Sequence, residues 1–406
     1  MIPRVRETNA AFIRLILAAF LFLFSLLTVF PPISYFLWQA SIAVAELGHW
    51  LAIVGIALLV PGWKTRLGKV SSVFALAATC LLLSPVMRGL NVGRNLSLQL
   101  HQAFGGTVPR ALPGAPPRSQ PISVLTLFRK PPSPGVSITT ETYATYSAKP
   151  LQLDVYRSDK QLRPAPLVIA IHGGSWRSGN RAELSALNYY LAARGYVVAS
   201  PSYRFAPEFP HPAASEDIDA AISFLKGNAD KFGIDSTRIV LLGRSAGAEL
   251  ALIAAYTRND PAIKGVVDFY GPTDQKWGWD NPADARVYNS AETLRAFLNG
   301  TPAAVPEAYR TSSPINFVRY GVAPTLMIHG TLDPLVSVRQ SARLDSALRS
   351  AHTPRISSLD LASDSPNPNL FIELPWGTHG CDYVFKGPCG QISTYAIERF
   401  ISRVTK

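Results

Sequence analysis

Cysteine is nearly absent, with three in 406 residues, and this scarcity excludes two classes of protein at once. No cysteine framework staples a small disulfide-dense fold together, and the spacing of Cys381 and Cys389 does not match a zinc site. Charged residues are scarce too, at 16% of the chain. The net charge of +12 does not collect into a basic stripe interleaved with aromatics, so nucleic-acid binding is not indicated. Most Lys and Arg stand singly, as on a solvated surface beside anionic lipid. Cys80 lies in a hydrophobic run. Cys381 and Cys389 flank the short segment from Asp382 to Pro388; they suit a disulfide in an oxidising compartment and two reduced thiols in a cytosolic one.

What the chain does have is long apolar runs at its start. Ala10 to Phe30 carries one charge, Arg14, and Pro31-Pro32 ends it. A second run covers Ile33 to Val60 and stops at Pro61-Gly62; a third covers Val70 to Met87. Each is close to the ~20 residues that cross a bilayer. The first is too long for a signal-peptide core and no Ala-x-Ala site follows it. Residues 1–90 therefore read as a membrane region with spans at about 10–30, 35–60 and 70–87. Arg4, Arg6 and Arg14 mark one end of the first span, and Lys64, Arg66 and Lys69 fill the loop before the third. The positive-inside rule puts both in the cytoplasm, and an odd number of spans leaves the rest of the chain outside. Arg88 and Arg94 oppose that placement only weakly, because long domains translocate largely regardless of charge. Glu46 and His49 share a helix face in the second span, which makes them functional candidates by default; the reading preferred is a pair with each other, or a place near the interface.

Residues 91–138 are punctuated by Pro109, Pro113, Pro116, Pro117, Pro121, Pro131, Pro132 and Pro134, a composition that suits an extended, semi-rigid spacer. Residues 139–406 then alternate strands and helices. Leu151 to Tyr156, Leu167 to Ile171, Tyr196 to Ala199, Arg238 to Leu242, Val266 to Tyr270, Thr325 to Ile328 and Leu370 to Leu374 read as strands, most of them covered on both faces. Arg181 to Arg194, Ala214 to Phe232, Ala246 to Thr257 and Val338 to Ala351 have helical spacing. The fold class is α/β, a doubly wound and mostly parallel sheet preceded by three transmembrane helices.

Ile239 to Leu242 leads into Gly243-Arg244-Ser245-Ala246-Gly247 and then an apolar-faced helix. Strand, sharp turn and helix are the context in which Gly-x-Ser-x-Gly presents a nucleophilic serine. A hydroxyl attacks only when a base takes its proton, so an acid and a histidine should follow in the order Ser, Asp, His. Asp333 follows the strand ending at Ile328, and His379 follows the strand ending at Leu374. Both lie at the carboxyl edge of the sheet, where open α/β sheets bind ligands. His172-Gly173-Gly174-Ser175-Trp176 follows another strand there, and its small residues let backbone N–H groups approach a substrate oxygen. Gly173, Gly174, Ser175 and Ala246 are the candidate oxyanion donors.

On these motifs, together with Tyr203-Arg204-Phe205-Ala206-Pro207-Glu208, Pro212 to Ala214 and Glu216-Asp217, residues from Thr139 onward resemble the esterase/lipase branch of the α/β-hydrolases. The likeness extends to the hormone-sensitive-lipase-like and feruloyl-esterase-like carboxylesterases with a His-Gly-Gly-Gly loop. Phe297 to Pro302 with Tyr309 to Pro314 is similar to the short lid-like insertion of the latter group. Ser175 stands where that family usually has a third glycine, which alters the pocket wall. The resemblance implies a serine carboxylesterase acting on a small or lipid-like, short-acyl ester through an acyl-enzyme, with no cofactor and no metal, and the apolar runs make it a membrane-anchored one. An acyltransferase, or an amide or peptide hydrolase using the same groups, is the alternative; a non-catalytic tethered binding module is a third. Trp376 is expected to line the pocket or the core, and His211, His329 and His352 to be structural or surface residues.

Overall fold

The computed structural model describes residues 2–60, 65–106, 116–128, 135–146, 149–160, 164–183, 185–352 and 368–406. Lys64, Pro109, Pro113 and Pro131 to Pro134 lie outside the described residues, as do the side chains of Arg4, Arg6 and His352. Three N-terminal helices are long and apolar enough to cross a membrane: α1 (Ile2–Ser25), α2 (Tyr35–Leu59) and α3 (Arg66–Phe104). Ser34 and Thr65 cap α2 and α3 by accepting from the amides of Leu37 and Gly68, which satisfies donors that a helix start leaves open. The helices pack through small residues. A side-chain carbon on Gly48 would lie 2.7 Å from the Leu82 carbonyl oxygen, and one on Gly55 would lie 2.3 Å from Thr79 Oγ1. Glycine lets two helices approach closely.

The helix α3 does not end at Met87. It continues to Phe104, so the first part of the segment expected as a proline-rich spacer is helical. Leu96, Leu100, Ala103 and Phe104 are buried in the core of the following domain. Asn91, Arg94, Asn95, Gln99 and Gln102 interrupt the apolar run. The membrane-like signal therefore stops while an amphipathic one goes on. Its 39 residues make a rod of about 58 Å. Residues 116–128 also lie on the domain. Ile122 and Leu127 are buried, and the Arg118 amide donates to Glu398 Oε2 at 3.0 Å.

The domain is built on eight strands among the described residues: β1 (Val136–Tyr146), β2 (Lys149–Ser158), β3 (Ala165–Ile171), β4 (Val197–Pro201), β5 (Ile234–Arg244), β6 (Ile263–Phe269), β7 (Thr325–Gly330) and β8 (Asn369–Leu374). Their order is β1-β2-β4-β3-β5-β6-β7-β8. β1 and β2 pair antiparallel with each other, and β2 pairs antiparallel with β4; every later pairing is parallel. β3, β4 and β7 are buried at every residue, which is why their sequences read as unbroken apolar runs. β1 begins inside the expected spacer. It is a half-exposed edge strand, and its threonines conceal it.

The expected helix from Ala214 to Phe232 divides into Ala213–Gly227 and Ala229–Phe232. Between β6 and β7 the helices Gln275–Asp280, Ser290–Leu298 and Pro306–Thr311 form a cap, which includes the lid-like segment. The helix Pro388–Val404 closes the chain and packs against α3.

Candidate active site

Ser245 sits between β5 and the helix Ala246–Thr257 with φ 52° and ψ −122°, a strained conformation that only its surroundings can hold. A side-chain carbon on Gly243 would lie 2.1 Å from Gly247 O, and one on Gly247 would lie 2.3 Å from His172 O. The two glycines flanking the serine are thus required by backbone on both sides. The Ser245 amide donates to Phe269 O at 2.9 Å, pinning the turn to β6.

Asp333 follows β7, and its side chain is fully buried. Its Oδ2 lies 2.7 Å from Nδ1 of His379 and 3.2 Å from Nε2 of His329. Its Oδ1 accepts from the amides of Leu335 (2.8 Å) and Val336 (2.9 Å). Burial pushes this carboxyl up, but the facing rings of His379 and His329 outweigh it and hold the group well below the usual carboxylate range. A carboxylate at Nδ1 assigns the proton of a neutral His379 to that nitrogen, leaving Nε2 free to act as a base. His329 Nε2 also faces Val336 O at 2.9 Å; two acceptors there make Nε2 the protonated nitrogen, with Nδ1 accepting from Ser341 (2.7 Å). His329 is structural, as expected, but its place is against the acid, a contact the sequence did not signal.

A second link joins the turn to the histidine loop. Arg244 Nε donates to Asp382 Oδ2 at 2.5 Å, with side chains only 4% and 3% exposed. Tyr270 donates to the other oxygen of Asp382, and its ring centroid lies 4.4 Å from that of His379. Neither partner of this pair carries a motif that marks it in sequence. Cys381 and Cys389 are joined by a disulfide that closes the same loop. Trp376 is fully buried, a core residue. Its indole donates to Glu46 of α2, so Glu46 does not pair with His49; His49 packs edge-on against Phe128 instead.

The loop after β3 is shaped by positive φ at Gly174 (108°), Ser175 (57°) and Trp176 (56°). Among the described residues, the amides of Gly173, Gly174 and Ser175 donate to no other backbone group. Ala246 stands at the helix start, where N–H groups have no intrahelical acceptor. The loop is held from behind. His172 stacks on Tyr203 with centroids 4.4 Å apart, Tyr203 donates to the carbonyls of His172 and Gly173, and Trp176 stacks on Phe297 of the cap at 4.0 Å. Trp176 Nε1 donates to the buried Glu249 at 2.9 Å, and burial pushes the Glu249 carboxyl up to about 8. Ser175, the residue in the third-glycine position, accepts from the Tyr288 hydroxyl at 2.8 Å. Ser245, Ser175 and Asp333 line one pocket of about 250 Å³, roofed by Trp277, Tyr288 and Leu294 of the cap. His211, packed against Phe297 and Thr311, is structural.

Sheet order, strained serine turn and loop positions define an α/β-hydrolase. Residues 153–348 match the family model described as BD-FAE, and this domain is similar to the esterase branch of that superfamily. The chain is 32% identical over 277 residues to Esterase LipC of Mycobacterium tuberculosis, covering 64% of each chain. It is 27% identical to the probable carboxylic ester hydrolase LipM of the same organism, covering 62% of this chain and 58% of LipM. Less than two thirds of either relative's length is thus matched. Among solved structures, a truncated carbohydrate esterase from gut microbiota superposes with TM-score 0.53 at 25% identity, covering 68% of this chain and all of that one. A bacterial heroin esterase shares the fold, with TM-score 0.55 at 22% identity over 67% of this chain and 85% of its own.

Breaking the Arg244–Asp382 pair strands a buried charge. Arg244→Met is expected to cost about 3–5 kcal/mol of stability, read from denaturant unfolding. Adding Asp382→Leu should recover most of the loss; a double variant no more stable than the single one would refute the pairing as its source.

Glu249 supplies a pH dependence. Its carboxyl rises from 4.5 to about 8 in the folded state, so the folded protein keeps a proton that the unfolded chain releases. The resulting stability is complete below pH 4.5 and declines as pH rises toward 8. Glu249→Gln keeps an acceptor for Trp176 and is expected to flatten the decline. Equal slopes of melting temperature against pH in variant and wild type would contradict this.

Proposed function

We propose that the protein is a membrane-anchored serine carboxylesterase. The observation that carries this reading is the 2.7 Å contact between His379 Nδ1 and the buried Asp333 carboxylate, at a pocket that Ser245 also lines. Asp333 orients the ring and stabilises its positive charge, so Nε2 of His379 takes the Ser245 proton as the hydroxyl oxygen bonds to the ester carbonyl carbon. The carbonyl oxygen becomes an oxyanion, received by the amides of Ala246 and of the Gly173–Gly174–Ser175 loop. Collapse expels the alcohol, which takes the proton from His379, and leaves an acyl-Ser245 ester. Water then attacks with His379 as base and releases the acid.

The relatives named as esterases support ester hydrolysis over acyl transfer. The pocket volume is near the low end for ligand sites, which favours a short acyl group. Ser245→Ala is expected to lower kcat/KM toward short-acyl nitrophenyl esters by at least roughly 10³-fold and to abolish fluorophosphonate labelling. Labelling that survives in the variant would sink the assignment.

The three apolar helices cross the membrane with the N-terminus in the cytoplasm and the hydrolase outside. Arg14 donates to Gly68 O at 2.7 Å and to Ser71 at 3.1 Å, so the basic ends of α1 and α3 lie at one level, as a shared cytoplasmic face requires. The Cys381–Cys389 bond suits an oxidising compartment. Alkaline phosphatase fused after Lys406 is expected to be active in a bacterial host; activity only of a fusion in the loop between α2 and α3 would reverse the topology.

A further inference from the structure

β7 covers one flank of β8, and the strand's other flank is the end of the sheet. The loop that follows, which carries His379, therefore has less of the sheet around it than the turns of Ser245 and Asp333. What fills that side comes from the apolar helices. Trp38 Nε1 on α2 donates to the His379 carbonyl oxygen at 3.0 Å. Two turns further along α2, Glu46 is fully buried; its Oε1 accepts from Trp376 Nε1 at 3.0 Å and its Oε2 from the Cys389 amide at 2.9 Å. Between them Ile42 lies against Gly380. Arg88 of α3 donates to Pro375 O at 3.0 Å and to Thr28 O at 2.5 Å. Trp38, Ile42 and Glu46 are four residues apart and share one helix face, and that face lies on the histidine loop.

Building a buried carboxylate into an apolar helix is costly, and it is retained where something specific accepts it. Here its two oxygens bind the two ends of the loop, Trp376 before His379 and Cys389 after it. The level of the contacts matters too. Gly48 meets Leu82, and Gly55 meets Thr79, so the part of α2 before Gly48 lies alongside α3 beyond Leu82, toward the hydrolase. The first turns of α2 thus serve the loop more than the bilayer.

We propose that Trp38 and Glu46 are positioning residues for His379, and that the helix bundle is a working part of the active site rather than a tether. The inference rests on the proposed role of Ser245 and His379. A base displaced by a fraction of its hydrogen-bond length loses its alignment to the serine, while the pocket, to which α2 and α3 contribute no lining residue, is untouched. Substrate binding should therefore survive while turnover falls.

The test uses the full chain in detergent or nanodiscs, with short-acyl nitrophenyl esters and fluorophosphonate titration of reactive Ser245. Trp38→Phe removes only the indole donor, and Glu46→Ala removes both acceptors. Each is expected to lower kcat per titrated site roughly 10- to 100-fold, with KM within about two-fold of wild type. Glu46→Gln, keeping one acceptor, should fall between. Ile53→Ala, on the exposed side of α2, should behave as wild type. Unchanged kcat per titrated site in Trp38→Phe and Glu46→Ala would overturn the proposal, even if fewer sites titrate, because the contacts would then serve folding alone. If wild type hydrolyses no ester and Ser245 takes no label, the proposed function fails and this inference falls with it.

Discussion

Arg244 and Asp382 meet at 2.5 Å with almost no access to water, and the geometry of the site hangs on that meeting. Arg244 is the residue immediately before Ser245; Asp382 is three residues after His379. Ser245 and His379 come from the end of β5 and from the loop after β8, with two strands between them in the sheet. Nothing in a parallel ladder sets that distance. A buried ion pair does, because its attraction is little screened and separating it would leave two charges desolvated. Tyr270 fills the space between, bonding Asp382 and lying against the His379 ring, so the pair transmits position to the imidazole. Asp333 supplies the other constraint through two backbone donors and two histidines.

The parts of the fold that could be read from sequence are those whose cause is local. Ser245 was legible because a strained turn needs small residues two positions either side, and the reason is now visible as backbone oxygens that leave Gly243 and Gly247 no room. Asp333 and His379 were legible from strand ends, and the apolar spans from their length. What was hidden depends on partners far away in the chain. Glu46 finds Trp376 and Cys389 more than three hundred residues on, so a reading limited to its own helix offered only His49. The extension of α3 to Phe104 was masked by Asn and Gln on its solvent side, and β1 by the threonines of an edge strand. Arg244 and Asp382 lacked any pattern at all.

Ser175 shows how a departure from a motif is absorbed. With φ of 57° the position favours glycine, and a side chain there carries a strain that something must hold. Tyr288 donates to its hydroxyl, and the neighbouring Trp176 is clamped between Phe297 and Glu249. The cap thereby reaches down and grips the loop after β3. Tyr288 and Ser175 both line the pocket, so support of the loop and one wall of the pocket arise from a single contact.

An exposed sheet edge is a liability that folds cover with a helix, a loop or charge. At the β8 end the covering comes from α3, which packs beside that strand and against the C-terminal helix. Leu96, Leu100 and Phe104 of α3 enter the same hydrophobic cluster as Leu370, Ile372 and Leu374 of β8. A hydrolase domain cut free at Thr139 would lose this cover and expose that cluster to water. The apolar helices and the domain are therefore not a tether and its load. One pair of helices, long and apolar enough to cross a membrane, both covers the last strand and seats the histidine loop, so on the proposed reading a substitution on the loop-facing side of α2 acts on the chemistry as one in the pocket does.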